Sequence, residues 1–356
     1  MKRKEIVSAD GLLSVPFDDV THACMTGSIH ALLQYLMLFD YDTVAKHTCY
    51  FLGYGVSPEV SAHLPAYYFN TKQTGTVLTP SRWFDKISMR LSRNRNYPFL
   101  KKSEIFAMDV GFVPPLIGKQ PYALLSDGPL GISQNMQVTS AEYQRQIKKK
   151  HSLQGRLEEL LYGPVAVFGW GNNPQCREFY LTEENNAVVL EGKPVHVRSL
   201  RQMWESASRE TRQLVLNVYG IDDNDIRLLN SKRYMFLTQP FTRDRTLTDE
   251  EYCHLLQRVF SHYDTSQMLL KLHPRDNFDY QKYFPDITVY DKKVNMQLLV
   301  LLGATVERAI TICSSSVNSF PESVPVDWFG VDIHPKLKSF FGEMVPPYRS
   351  YNQVSL

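Results

Sequence analysis

Lys271, His273 and Arg275, set two apart in Leu270-Lys271-Leu272-His273-Pro274-Arg275, put an ammonium, an imidazole and a guanidinium just past an apolar run. Such donors suit an anion, and an imidazole can also move a proton. The run from Met268 to Leu272 reads as a buried strand, and ligands of open α/β sheets bind beyond the carboxyl ends of such strands. A second run, Ala309 to Cys313, leads straight into Ser314-Ser315-Ser316 and then Val317-Asn318-Ser319-Phe320. A strand that ends in small hydroxyl residues and opens a helix offers backbone N–H groups, a positive dipole end and hydroxyl donors to an anion. One serine suffices as a helix cap; three in a row exceed what capping needs.

The intervening segments repeat a strand and helix rhythm that brings these groups together. Arg233 to Thr238 reads as a strand, Thr248 and Glu251 form a capping-box pattern, and Tyr252, Leu255, Leu256 and Val259 share one helical face. Ile287 to Tyr290 reads as a further strand and Met296 to Leu302 as an apolar helix ended by Gly303. In the resulting Rossmann-like half-domain, the Thr238-Gln239-Pro240 loop, the His273 loop and the serine loop fall on one edge of the sheet, as in a nucleotide-phosphate site.

Strand–Thr-Gln-Pro, strand–His-Pro-Arg and strand–Ser-Ser, with the earlier Ser126-Asp127-Gly128 after an apolar run, resemble the motifs of bacterial sialyltransferases, and most nearly those of glycosyltransferase family 52. The motifs lie in the family's order over roughly residues 120 to 320, each short and the ordered set more specific than any member. The resemblance implies an α/β protein of the GT-B type, two Rossmann-like domains facing a central cleft. It implies an inverting enzyme that moves sialic acid from CMP-sialic acid to a glycan hydroxyl of lipooligosaccharide, O-antigen or capsule type. His273 would meet the departing phosphate and Ser314, Ser315 and Ser316 would hold it, with Gln239, Pro240, Lys271, Pro274 and Arg275 beside them on the donor. Asp127 would take the proton of the acceptor. No cofactor or metal is implied, because the one phosphate of CMP can be neutralised by protein donors.

Two departures from the family pattern concern the base. Phe241 stands where a catalytic Asp commonly follows the Pro of the Thr-Gln-Pro loop, which leaves Asp244, between Arg243 and Arg245, as the nearest substitute. Ser126 stands where an acidic residue commonly precedes Asp-Gly, and Asp-Gly is also an ordinary turn dipeptide. Two other functions therefore stay open: a same-fold enzyme using another nucleotide sugar, and a non-catalytic nucleotide- or glycan-binding module. His334-Pro335 repeats the first dipeptide without a strand of like quality before it and is read as a decoy.

At 356 residues the chain exceeds one ordinary core, and a net charge of +2 gives no reason to invoke nucleic acid. The expected division is residues 1–221, an acceptor-side domain, and 226–335, a nucleotide-sugar domain, with Asp222-Asp223-Asn224-Asp225 as the linker and 336–356 returning to the first domain. Cys24, Cys49, Cys176, Cys253 and Cys313 have no paired spacing and read as reduced core thiols, and neither a secretory signal nor a membrane span is expected. A cytoplasmic enzyme follows.

In the first half, Thr26-Gly27-Ser28 opens a helix, Tyr50 to Tyr54, Glu104 to Val110, Tyr122 to Leu125 and Val165 to Trp170 suggest strands, Phe179 to Arg198 suggests a hairpin, and Met203 to Val218 suggests one helix. Basic runs (Arg90, Arg93, Arg95, Lys101 and Lys102 around Tyr97 and Phe99, then Lys148-Lys149-Lys150) read as solvated faces or as peripheral contact with anionic phospholipid of the inner membrane. Oligomeric state is left open.

Overall fold

The computed structural model describes residues 5–53, 55–69, 80–109, 111–125, 140–164, 171, 174–182, 193–342 and 349–356. The chain forms two compact units, 1–218 and 219–356.

The first unit opens with an antiparallel pair, β1 (Glu5–Val7) and β2 (Ser14–Pro16), and continues with β3 (His22–Thr26), α1 (Ile29–Leu38), α2 (Tyr41–Lys46), β4 (Thr48–Gly53), α3 (Pro58–Ala62) and β5 (Ala66–Phe69). After α4 (Pro80–Asn96) come β6 (Glu104–Ala107), α5 (Val113–Ile117), β7 (Tyr122–Leu125), α6 (Ser140–His151), α7 (Leu153–Tyr162), β8 (Cys176–Leu181), β9 (Val195–Val197), α8 (Leu200–Ser206) and α9 (Arg209–Tyr219). Its sheet is parallel throughout, in the order β5-β4-β3-β6-β7-β8-β9. The central strands are mostly apolar, as strands of a parallel sheet covered on both faces are; β4 is buried at every position.

The second unit contains α10 (Asp223–Leu229), β10 (Tyr234–Leu237), α11 (Asp249–Phe260), β11 (Met268–Lys271), α12 (Tyr280–Tyr283), β12 (Thr288–Tyr290), α13 (Met296–Leu301), β13 (Arg308–Thr311), β14 (Val326–Trp328), α14 (Pro335–Phe341) and β15 (Asn352–Gln353). Its parallel sheet runs β12-β11-β10-β13-β14-β15, the doubly wound order in which the chain reverses direction between β10 and β13. The capping box forms as read: Thr248 Oγ1 accepts from the Glu251 N–H at 3.2 Å and the Glu251 carboxylate accepts from the Thr248 N–H at 3.0 Å. Tyr252, Leu255, Leu256 and Val259 are buried, and Gly303 follows α13 at φ 100°, where a side chain would be strained.

Three expectations are corrected. Phe179 to Arg198 is no hairpin, since β8 and β9 pair in parallel. The 203–218 segment is two helices, broken where the Ser208 hydroxyl accepts from the Thr211 N–H at 3.1 Å and restarts the helix as a cap. The acidic run is a helix start, not a linker: the Asp222 carboxylate accepts from the Asn224 and Asp225 N–H groups, and Asp225 accepts in return from the Asp222 N–H. Asp225 also pairs with Lys292 at 2.7 Å. The end of the chain adds β15 to the second sheet beside β14. The five cysteines are free and buried, Val165 to Trp170 lies outside the described residues, and no described helix is long and apolar enough to cross a membrane.

Candidate functional site

Three strand ends of the second unit lie in register. Leu237 of β10 pairs with Lys271 of β11 on one side and with Thr311 of β13 on the other. The Pro240, His273 and serine loops therefore leave the sheet side by side, at the strand-order reversal.

The end of β10 fastens both neighbours. The Thr238 hydroxyl accepts from the His273 N–H at 2.9 Å and donates to the Asp276 carboxylate at 2.5 Å. Asp276 accepts as well from the Tyr280 hydroxyl at 2.8 Å, and that hydroxyl meets Tyr252's at 3.0 Å. Toward β13, the Thr311 hydroxyl donates to the Leu237 carbonyl at 3.1 Å and accepts from the Ser314 N–H at 2.9 Å. Ser314 is buried, and its hydroxyl accepts from the Ser316 N–H at 3.4 Å; Ser315 and Ser316 are half-buried at the start of a tight 3-10 turn, Ser315–Ser319. Asp276 was not singled out in the sequence. Its position three residues past His273, where its carboxylate can close the turn on itself through the Phe278 N–H at 3.2 Å, is the signal that could have found it.

His273 is half-buried, and its Nδ1 accepts from the Arg275 N–H at 3.1 Å. A ring nitrogen that accepts cannot carry a proton, so the neutral ring has its hydrogen on Nε2 as a donor. Burial first, and then Arg275, Lys271, Lys293 and Arg243, bring its pKa down to about 3. The free site thus holds a neutral imidazole in the positive field of nearby basic side chains, a setting that favours an anion and that an arriving anion would partly cancel.

The other predicted residues divide. Gln239 is half-buried and Pro240 buried at the end of β10. Arg275 pairs with Asp244 at 3.2 Å, and Arg243 donates to the Arg275 carbonyl at 2.9 Å, so the Pro240 and His273 loops are linked through these charges. Arg245 closes the Pro240 turn at φ 58°, the one positive φ outside glycine among the described residues, in a region where strain collects at functional sites. Lys271 is turned to structural use: its Nζ is buried and donates to the Leu272 carbonyl at 2.7 Å and the Lys292 carbonyl at 3.3 Å, with its pKa lowered to about 7 by burial and then by Lys293. Phe241 packs in the core against Tyr252 at 5.5 Å between ring centroids, so no carboxylate could occupy that place without entering the core.

Ser126, Asp127 and Gly128 lie outside the described residues. At the corresponding edge of the first unit, Ser28 caps α1 and the Thr26 hydroxyl accepts from the Ser28 N–H at 3.0 Å, both capping rather than reactive geometries. Asp109, just past β6, accepts from the Tyr122 hydroxyl at 2.5 Å and the Gly171 N–H at 2.7 Å and holds those two segments together.

A family model described as Glycosyltransferase family 52 matches residues 116–337. An uncharacterized protein of Haemophilus influenzae is 31% identical over 180 residues, which span 51% of this chain and 58% of that protein. Among solved structures, the GT-B domain of a sialyltransferase from Photobacterium damselae is similar with a TM-score of 0.52 at 13% identity, covering 91% of this chain and 97% of that one. An α/β-galactoside α-2,3-sialyltransferase from Photobacterium phosphoreum gives a TM-score of 0.50 at 11% identity, covering 90% and 94%. Likeness at that identity speaks to the fold, which is of the GT-B type.

Proposed function

The chain belongs to glycosyltransferase family 52, and on that premise we propose that it moves sialic acid from CMP-sialic acid to a glycan hydroxyl with inversion, on acceptors of lipooligosaccharide, O-antigen or capsule type. The observation that carries the reading is His273: a donor on Nε2, oriented through Nδ1, in the positive field of nearby basic side chains at the reversal point of a doubly wound sheet.

In this reading the acceptor oxygen attacks the anomeric carbon as the bond from that carbon to the phosphate oxygen breaks, and the electron pair leaves with CMP. Negative charge grows on the phosphate, and His273 with Ser315 and Ser316 supplies donors aimed at it over the end of β10. One preorganised donor of this kind contributes about 3 to 4 kcal/mol to barrier lowering. The phosphate also raises the pKa of His273, which prepares the ring to pass a proton to the leaving group. The hydroxyl proton goes to a carboxylate, which we assign to Asp127 ahead of Asp244, because Asp244 is engaged with Arg275.

A donor screen with CMP-sialic acid, UDP-glucose and UDP-galactose tests the assignment. Transfer from CMP-sialic acid alone is expected, whereas transfer only from a UDP-sugar would replace the donor while leaving the fold and site intact. The core position of Phe241 favours one rival, a nucleotide-binding module without catalysis. Binding of CMP with no turnover on any acceptor would establish it.

A further inference from the structure

Three neighbouring helices of the first unit, α4, α6 and α7, carry none of the residues assigned above to glycosyl transfer. Lys86 of α4 lies 5.9 Å from the Tyr162 ring of α7, and Lys149 of α6 pairs with Glu158 of α7 at 3.0 Å. Gly155 lets α6 and α7 meet closely, since a Cβ there would stand 1.8 Å from the Lys149 carbonyl oxygen. The helices' inward sides bury Arg93, Gly155, Glu158 and Tyr162.

The outward sides of α4 and α7 expose large apolar residues. Phe84 and Leu91, seven residues apart on α4, are 73% and 78% exposed, and Leu153, Leu157 and Leu160 on α7 are 77%, 39% and 78% exposed. Of the five large hydrophobic residues more than seven-tenths exposed among the described residues, four are here. Single exposed leucines need no explanation, but a cluster on adjacent helices does. The same helices carry ten Lys and Arg against four Asp and Glu, in a chain whose totals are 39 and 37, so the rest of the chain has an acidic excess. Arg95, Lys148 and Arg156, on the same three helices, are exposed as well.

Apolar side chains rimmed by cations discriminate among partners. A second copy docked on the same face would set cations against cations, and a nucleic-acid backbone would leave the leucines nothing to bury against. A bilayer with acidic headgroups satisfies both features at once. We propose that the α4–α6–α7 face docks on an anionic phospholipid surface, with Leu91, Leu153 and Leu160 entering the headgroup–acyl boundary and Lys148 and Arg156 meeting the lipid phosphates. The assignment stands apart from the choice of donor and from the reaction.

Co-sedimentation of the full chain with vesicles tests it. The wild type should bind phosphatidylcholine vesicles containing roughly one-third phosphatidylglycerol, bind pure phosphatidylcholine weakly, and release as salt is raised. Leu153→Ser with Leu160→Ser should lower the partition coefficient by about a hundredfold, and Lys148→Glu with Arg156→Glu by on the order of 25-fold or more. Both variants should keep the wild-type melting temperature and the wild-type rate of transfer to a soluble acceptor. The proposal is overturned if the wild type ignores anionic vesicles, if it binds neutral vesicles equally, or if the leucine variant binds as wild type does. It is overturned equally if the wild type is a dimer that the leucine variant dissociates without any vesicle binding, which would give the face to self-association.

Discussion

The chain contains the same turn twice, and only one copy has the surroundings for chemistry. In His273-Pro274-Arg275 the ring Nδ1 accepts from the Arg275 N–H at 3.1 Å, and in His334-Pro335-Lys336 the ring Nδ1 accepts from the Lys336 N–H at 3.2 Å. The dipeptide fixes ring orientation in both. What differs is the element each follows. His273 leaves an interior strand at the reversal point, fastened to Thr238 and in the field of nearby basic side chains, whereas His334 leaves a short turn and caps α14, whose Lys336 pairs with Glu251 at 2.6 Å. A His-Pro pair is therefore a way of aiming Nε2, and the strand before it decides what Nε2 is aimed at.

The largest expected effect is at His273. His273→Ala should lower kcat by about a hundredfold or more with a smaller change in donor affinity, measured in steady state with saturating acceptor. His273→Asn sharpens the comparison, because its side-chain oxygen can still accept from the Arg275 N–H while the Nε2 donor is lost. Asn should be as inactive as Ala if the donor matters, and near wild type if only the turn does. Titration separates them further. Free His273 titrates at about 3, and a bound phosphate raises that value, so binding takes up a proton and CMP affinity should rise as pH falls more steeply in wild type than in His273→Ala.

Next in size is the base. Asp127→Asn should abolish transfer to sugars while CMP still binds by calorimetry, with Asp244→Asn costing little. The reverse pattern would move the base to the Pro240 loop. A smaller loss is expected at Thr238→Val, which strips the His273 N–H of its acceptor and Asp276 of one donor. About 1 to 3 kcal/mol of stability should go for each buried group left unpaired, together with roughly tenfold in kcat, and Thr238→Ser should restore both. The smallest effect belongs to His334→Ala, with kcat within about twofold of wild type and a cap loss of about 0.5 to 1 kcal/mol in thermal melts.

Acid should destabilise the whole fold through two histidines. Burial lowers His30 to about 4, and burial with nearby cations lowers His273 to about 3, from the usual 6.5. The unfolded chain binds more protons than the folded one between those values, so stability should fall as pH drops below about 6.5, and urea midpoints across that range measure it.

The second unit was legible because its signals agree. Continuous apolar runs of four or five residues, a capping box and a glycine stop all call for alternating strands and helices; β10 and β11 lie within the expected segments, and β13 overlaps its own but starts one residue earlier and ends at Thr311. The first unit gave weaker signals where pairing partners are distant. β8 and β9 look alternating because they approach one edge of a parallel sheet, and alternation alone does not say whether the next strand runs beside it or against it. The acidic run misled for a related reason: aspartates spaced to cap a helix have the same composition as a solvated linker. Within the site, the strand-end placement of His273 and the serines could be read from order alone. The burial of Lys271 and Phe241 could not, because it depends on neighbours far apart in sequence, Lys292 in one case and Tyr252 in the other.

A structure of the protein with CMP bound tests the central claim most directly. The account predicts a phosphate oxygen about 3 Å from His273 Nε2, over the end of β10, with Ser315 and Ser316 on its far side. A nucleotide whose phosphate lies away from His273, with the ring still turned only to its own backbone, would contradict it.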